Sequence, residues 1–190
     1  TPHSTHGELT AKALEAGKSV FVEKPLALSK DELIGIAKAR ENSAGFFQVG
    51  FNRRFAPMVK DMKAKLRRID GRKFAVMRIN AGRLDASNWQ LDTEEGHGRI
   101  LGEVCHFIDL AIHLIGSRPI SVQADSALAR NGPCEDVTVT IGFEDGSLAT
   151  IAYTALGDIA YSKEAIECYA GGQVLAIDNF LTFTSVVDGR

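Results

Sequence analysis

Cysteine is scarce in this chain, and its scarcity excludes a disulfide scaffold. The 190 residues hold three cysteines, Cys105, Cys134 and Cys168, widely spaced and without a Cys-x-x-Cys pair, which read as free thiols of a reducing compartment, the cytoplasm. No run of about eighteen apolar residues occurs, so no membrane-spanning helix is predicted. Excess charge is missing too: 22 Lys and Arg face 24 Asp and Glu for a net charge of -2, with a pI near 6.2, which gives no global pull toward nucleic acid or anionic membrane. Internal repeats and low-complexity tracts are absent. What remains is an ordinary globular composition, 45% apolar and 24% charged, enough for one core, or one core and a partial domain. Locally, eleven Lys or Arg between Phe51 and Arg83 face only Asp61 and Asp70. That imbalance reads either as a solvated face or as Arg53 or Arg54 binding an anionic substrate or cofactor phosphates.

Periodicity supplies the elements. Leu9, Ala13 and Leu14 have helical spacing from Gly7 to Ala16, with Gly17 as a stop. The apolar run from Ser19 then delivers Glu23-Lys24-Pro25 at its carboxyl end, where an open α/β sheet places reactive groups. Ser29-Lys30-Asp31-Glu32 is a capping box for the next helix. A short strand at Phe46 to Val49 and a helix from Phe55 to Leu66, with Met58, Met62 and Leu66 on one side, follow. Strands then dominate: one begins at Phe74, and after a helix from Gly98 to Ile115 come 120–128, 136–143, 148–155, 165–170, 174–177 and 180–186. Glu144-Asp145-Gly146-Ser147 and Gly171-Gly172 are hairpin turn signals. The fold class is α+β: the end of a Rossmann-type α/β unit, then a mainly antiparallel open sheet with helices on one face. The domains are drawn at 1–46 and 47–190.

The Gly98 helix carries most of the candidate chemistry. At about 100° per residue, Leu101, Val104, Cys105, Ile108, Ile112 and Ile115 form a core-facing strip, and Gly102, His106, Asp109 and His113 fall on the other side. Asp109 and His113 read as an i,i+4 polar pair. His3 and His6 with the polar residues of this helix have ligand types a metal accepts, but no metal-site spacing supports one, and the metal prediction is none.

Three motifs in order resemble one family. They are Thr1-Pro2-His3-Ser4-Thr5-His6 leading to Glu23-Lys24-Pro25; Gly50-Phe51-Asn52-Arg53-Arg54-Phe55-Ala56-Pro57; and Gly98 to Asp109, closing on Leu114-Ile115-Gly116. Together they resemble the glucose-fructose oxidoreductase, inositol dehydrogenase and rhizopine catabolism (Gfo/Idh/MocA) family from Thr1 to about Asp178. The resemblance implies NAD or NADP as cofactor and hydride transfer with a secondary alcohol or carbonyl of a sugar, polyol or sugar derivative. It implies Thr1, Pro2, His3, His6, Glu23, Lys24 and Pro25 on the cofactor, and a cis Lys24–Pro25 bond. It places Lys24 and His106 in catalysis, His106 as the base for the hydroxyl proton, since imidazole ordinarily titrates near about 6.5, and Lys24 as the charge beside the developing alkoxide. Asn52, Arg53, Arg54 and Asp109 are the substrate-contact candidates.

Two departures qualify the resemblance. The family's Asp-x-x-x-His has Gly102 at its acid position, with Glu103 one step off as the candidate to orient His106. No Gly-x-Gly-x-x-Gly opens the chain and its first residue is not Met, so it is expected to be the carboxyl-terminal part of a longer protein, binding cofactor weakly by itself. Gly102-Glu103-Val104-Cys105-His106 resembles the subgroup in which this module follows a zinc-type alcohol dehydrogenase module. A non-catalytic regulator that senses cofactor or sugar on the same fold is the alternative. A homo-oligomer through the open sheet is expected, from the alternation of Val137, Val139 and Ile141 with Thr138, Thr140 and Gly142.

Overall fold

The computed structural model describes every residue except Ala86, Thr93, Glu94, 128–134 and Arg190; Cys134 lies outside the described residues. Contacts divide the chain into two units, Thr1–Phe51 with Asp85–His106, and Asn52–Leu84 with Phe107–Arg190.

In the first unit, helix α1 (His6–Glu15), strand β1 (Val20–Val22), helix α2 (Lys30–Glu41) and strand β2 (Phe47–Val49) follow in order, and β1 pairs parallel with β2. Leu14, Val20, Val22, Ile36 and Ala39 make the core. The inner face of α1 runs through His6, Thr10 and Leu14, one turn apart, whereas Leu9 is 50% exposed. β1 ends at Val22, just before Glu23-Lys24-Pro25, and the Lys24–Pro25 bond is cis, as the resemblance implies. The capping box is present: Ser29 Oγ accepts from the Glu32 N–H at 3.2 Å, and Glu32 Oε2 accepts from the Ser29 N–H at 3.3 Å.

The predicted helix from Gly98 is more complicated. A π-helical segment, Ile100–Val104, precedes helix α4, Cys105–Ile115. A π turn adds a residue and shifts the helix phase, so the strip drawn at 100° per residue needs correction. Leu101 is 38% exposed and Cys105, Ile108 and Ile112 are half-buried. The buried set is Val104, Phe107, Leu110, Ala111, Leu114 and Ile115, and His106 and Asp109 are buried as well.

The second unit holds helix α3 (Pro57–Leu66) and strands β3 (Lys73–Asn80), β4 (Pro119–Ser126), β5 (Val137–Phe143), β6 (Leu148–Thr154), β7 (Glu164–Ala170), β8 (Gln173–Asp178) and β9 (Thr182–Val186). Their order is β4-β5-β6-β3-β7-β8-β9. Only the β3–β6 pair is parallel; the others are antiparallel. The β5–β6 and β7–β8 hairpins turn where predicted, with Gly146, Gly171 and Gly172 at positive φ, which side chains disfavour. Period-two alternation buries Ala75, Met77, Ile79, Val139, Ile151 and Ile166 on one face. The helices cover that face: Phe107 of α4 meets Tyr153 of β6 at 6.4 Å between ring centroids, and Val59, Met62 and Leu66 of α3 are fully buried. On the opposite face the Phe74 and Tyr169 rings lie 6.3 Å apart and remain 43% and 39% exposed. Val59 replaces the predicted Met58 on the inner side of α3, because Met58 is only half-buried.

Candidate active site

In the first unit a cleft of about 510 Å³ opens at the carboxyl end of β1, lined by Thr1, His3, His6, Glu23, Lys24 and Trp89 among others. β1 carries Lys24 to it as the sequence predicts. The Lys24 ammonium donates to the Gly102 carbonyl, fastening the strand end to the π-helical segment from which His106 follows. His106 is 7% exposed and meets Phe51 edge to face at 6.0 Å.

Two histidines near the start of the chain have defined tautomers. His3 Nδ1 lies 3.0 Å from the Gly96 carbonyl and His6 Nδ1 lies 2.8 Å from the Pro25 carbonyl. A carbonyl only accepts, so each Nδ1 carries a proton, and in the neutral form of either ring the lone pair is on Nε2. Burial pushes the His3 pKa down, with the Lys24, His6 and His97 charges adding to the effect, and the Gly96 bond opposes it. Trp89 stands edge-on against His3 at 4.8 Å between centroids.

Gly102 has a physical role in this packing. A Cβ at that position would lie 3.2 Å from His3 Cε1, so the His3 ring occupies the direction in which a side chain at 102 would grow. Glu103 accepts from Arg99 Nη2 at 3.3 and 3.4 Å, and Arg99 is 2% exposed. Glu23 is exposed and its carboxylate rests against Gly50, where a Cβ would lie 2.9 Å from Oε2. Pro25 is buried, Pro2 half-buried and Thr1 exposed.

The second unit holds the remaining candidates. Asn52 is exposed on a 3₁₀ turn. Arg53 grips Glu164 with both Nε (3.0 Å) and Nη2 (2.6 Å), and its guanidinium lies 4.6 Å from the Phe107 ring centre. Arg54 grips Asp109 in the same bidentate manner, Nε to Oδ2 at 2.6 Å. That bond is the main reason the Arg54 pKa is raised. Both arginines therefore already hold internal carboxylates. Burial lowers the His113 pKa, Arg54 and Lys63 add to that, and Asp109 opposes it.

Sequence reasoning gave no role to Trp89, Gly96, Arg99 or Glu164. Trp89 is the sole tryptophan, a signal that could have been used; the other three matter only through neighbours distant in the chain. Among the described residues no group of three or more His, Cys, Asp or Glu could hold a metal.

Comparison with known proteins places this geometry. Residues 1–51 match the family model described as "Oxidoreductase family, NAD-binding Rossmann fold", and residues 71–170 match "GFO/IDH/MocA C-terminal domain". Inositol 2-dehydrogenase of Rhizobium meliloti is 28% identical over 94% of this chain and 56% of its own length. The scyllo-inositol 2-dehydrogenase (NAD(+)) of Bacillus subtilis is 31% identical over 86% of the chain and 47% of its own length. The chain thus spans about half the length of the curated relatives it matches. A crystal structure of an oxidoreductase domain protein from Kribbella flavida superposes with a TM-score of 0.85 at 22% identity, covering 100% of this chain and 58% of that one, which is a likeness of fold. With both of its regions matched in order, the chain belongs to the Gfo/Idh/MocA family of oxidoreductases.

Proposed function

We propose that the whole protein is an NAD(P)-dependent dehydrogenase acting on a secondary alcohol or carbonyl of a sugar, polyol or sugar derivative. The observation that carries this reading is Lys24, delivered by β1 to the cleft and tied through Gly102 to the segment preceding His106. The domain limits that go with it are 1–46 as the carboxyl-terminal part of the dinucleotide-binding domain and 47–190 as the substrate and oligomerisation domain. The names of the inositol dehydrogenase relatives support the polyol class.

The residues of the cleft suit a nicotinamide. Its carboxamide both donates and accepts; His3 and His6 offer Nε2 lone pairs, and Lys24 and the Thr1 hydroxyl offer donors. These residues, with Pro2, Glu23 and Pro25 nearby, would hold that end of the cofactor. A nicotinamide held there would supply the chemistry of hydride transfer to or from the substrate carbon. The chain's own work is proton handling: His106 accepts the substrate hydroxyl proton on a ring nitrogen, and the Lys24 ammonium donates a hydrogen bond to the same oxygen as negative charge grows there. Asn52, Arg53, Arg54 and Asp109 are proposed to shape the substrate end, the two arginines through the carboxylates they already hold.

Self-association through the exposed sheet face and a cytoplasmic location belong to the same proposal. Tyr169 and Phe74 on that face support the first, and the buried free thiol of Cys168 supports the second. The variant Gly102-Glu103-Val104-Cys105-His106 supports membership of the subgroup joined to a zinc-type alcohol dehydrogenase module. No helix of the described residues is long and apolar enough to cross a membrane. Gly102, with His3 against it, favours the second reading, a sensing regulator; retention of Lys24 and His106 favours the enzyme.

Turnover decides between them. In the whole protein, Lys24→Ala and His106→Ala are each expected to lower kcat by at least about 10²-fold, the lower range for a positioned acid–base group. Glu103→Gln lowers the rate and moves the pH profile if Glu103 orients His106. Full activity in the Lys24 variant refutes the mechanism, and no activity in the intact protein with any polyol or sugar favours the sensor.

A further inference from the structure

The second unit has a cavity of its own, about 590 Å³, between the carboxyl ends of α3 and α4. Lys63, Arg67, Lys73 and His113 line it, and Asp70 is its one acidic wall residue. Arg54 also reaches the wall, but its charge is matched by Asp109. Three lysine or arginine charges against Asp70 leave a net of +2 before His113 is counted. Among the described residues no carboxylate pairs with Lys63, Arg67 or Lys73.

Helix ends account for part of this charge only. Lys63 Nζ donates to the Leu114 carbonyl at 3.1 Å, and Gly116, which ends α4 at φ +78, leaves room for the ammonium, since a Cβ there would lie 2.5 Å from it. That is the usual service of a cation to a helix carboxyl end. Arg67 and Lys73 serve no such carbonyl of α4, yet their charges bear on Lys63. The pKa of Lys63 is pushed down by burial and then by Arg67 and Lys73, and that of His113 by burial, Arg54, Lys63 and Arg67. The cations repel one another in a partly dry hollow, which an anion would relieve. Ile69 and Ile112 supply apolar walls, and among the described residues no Phe, Tyr or Trp lines the cavity.

We propose that this cavity binds a phosphate group, as the head of a small phosphomonoester or as free phosphate, with Lys63, Arg67 and Lys73 as its donors and His113 at its edge. The volume is in the range of small-molecule pockets and exceeds what bare phosphate fills, so a phosphomonoester whose organic body lies along Ile69 and Ile112 is the occupant the walls favour. This site is independent of the oxidoreductase reading, and the test below does not use turnover.

The chain is titrated calorimetrically with inorganic phosphate and, separately, with glycerol 3-phosphate at constant ionic strength, while NMR follows the His113 ring across pH. Saturable binding is expected, with the His113 pKa raised on binding because the anion favours its charged form. Affinity should fall on the order of tenfold or more in Arg67→Gln/Lys73→Gln, the loss expected when hydrogen bonds to a charged group are removed. Tighter binding of the ester identifies the organic body as part of the ligand; equal affinity identifies free phosphate. No saturable binding, binding unchanged in the double variant, or a His113 pKa unmoved at saturation overturns the site. Both substituted residues are outside the cores and leave the Lys63–Leu114 bond intact, so an unfolded variant is not the anticipated outcome, and circular dichroism checks it.

Discussion

Restoring an acid at position 102 is the sharpest perturbation of the candidate active site. In Gly102→Asp the new Cβ would stand 3.2 Å from His3 Cε1, and the carboxylate beyond it needs the volume the ring fills. His3 must swing away, giving up its 3.0 Å bond to the Gly96 carbonyl. Losing that bond in a buried place costs about 1–3 kcal/mol. Replacing a helical glycine returns a few tenths. The net loss is then about 0.7–2.7 kcal/mol, or about 1–11 °C in Tm at about 2–4 °C per kcal/mol for a chain of this size. The electrostatic consequence has a definite sign. His3 has a lowered pKa in the folded chain, so the unfolded chain binds more protons and stability is lost as pH falls through the histidine range. A carboxylate beside His3 raises its folded pKa and flattens that loss. Denaturant melts at several pH values, with NMR titration of His3, read both effects. Gly102→Ala, which adds the Cβ alone, needs the ring to give only a few tenths of an ångström and should change stability by less than about 1 kcal/mol, the helical gain over glycine offsetting the contact. If Gly102→Asp leaves Tm and the His3 pKa where they were, the ring does not hold the space over Gly102 and the explanation of the missing acid fails.

Three further outcomes are expected. Asp109→Asn should cost about 1–3 kcal/mol in urea melts: a broken buried pair costs about 3–5 kcal/mol, discounted because the Arg54 side chain is 37% exposed, and a cycle with Arg54→Gln should give coupling above about 0.5 kcal/mol. Cys168, fully buried with its thiol pushed up to about 12, should resist alkylation in the native chain while the half-buried Cys105 reacts faster, as mass spectrometry after timed labelling will show. Ser29→Ala removes the α2 cap acceptor at 3.2 Å and should lower stability by about 0.5–2 kcal/mol, whereas Ser29→Asp should restore most of it.

Much of this architecture is determined by the sequence alone, because it depends on neighbours within a few residues. The capping box at Ser29, the glycine turns and the alternation in β5 are local, so each strand and helix could be placed to within a few positions. The Glu23-Lys24-Pro25 strand end and the family were legible from short motifs for the same reason. The tertiary structure decided whatever depends on residues far apart. Arg53 and Arg54 read in sequence either as part of a solvated face or as anion receptors, yet Glu164 and Asp109, 111 and 55 residues on, hold them. The core strip of α4 was misassigned because a π turn shifts the phase, and nothing within 98–115 announces one. Gly102 looked like a lost acid; only the fold brings His3, some hundred positions earlier, over its Cα. Local propensity is set by adjacent dihedrals and hydrogen bonds, while pairing of charges and filling of space are settled by which distant surfaces meet.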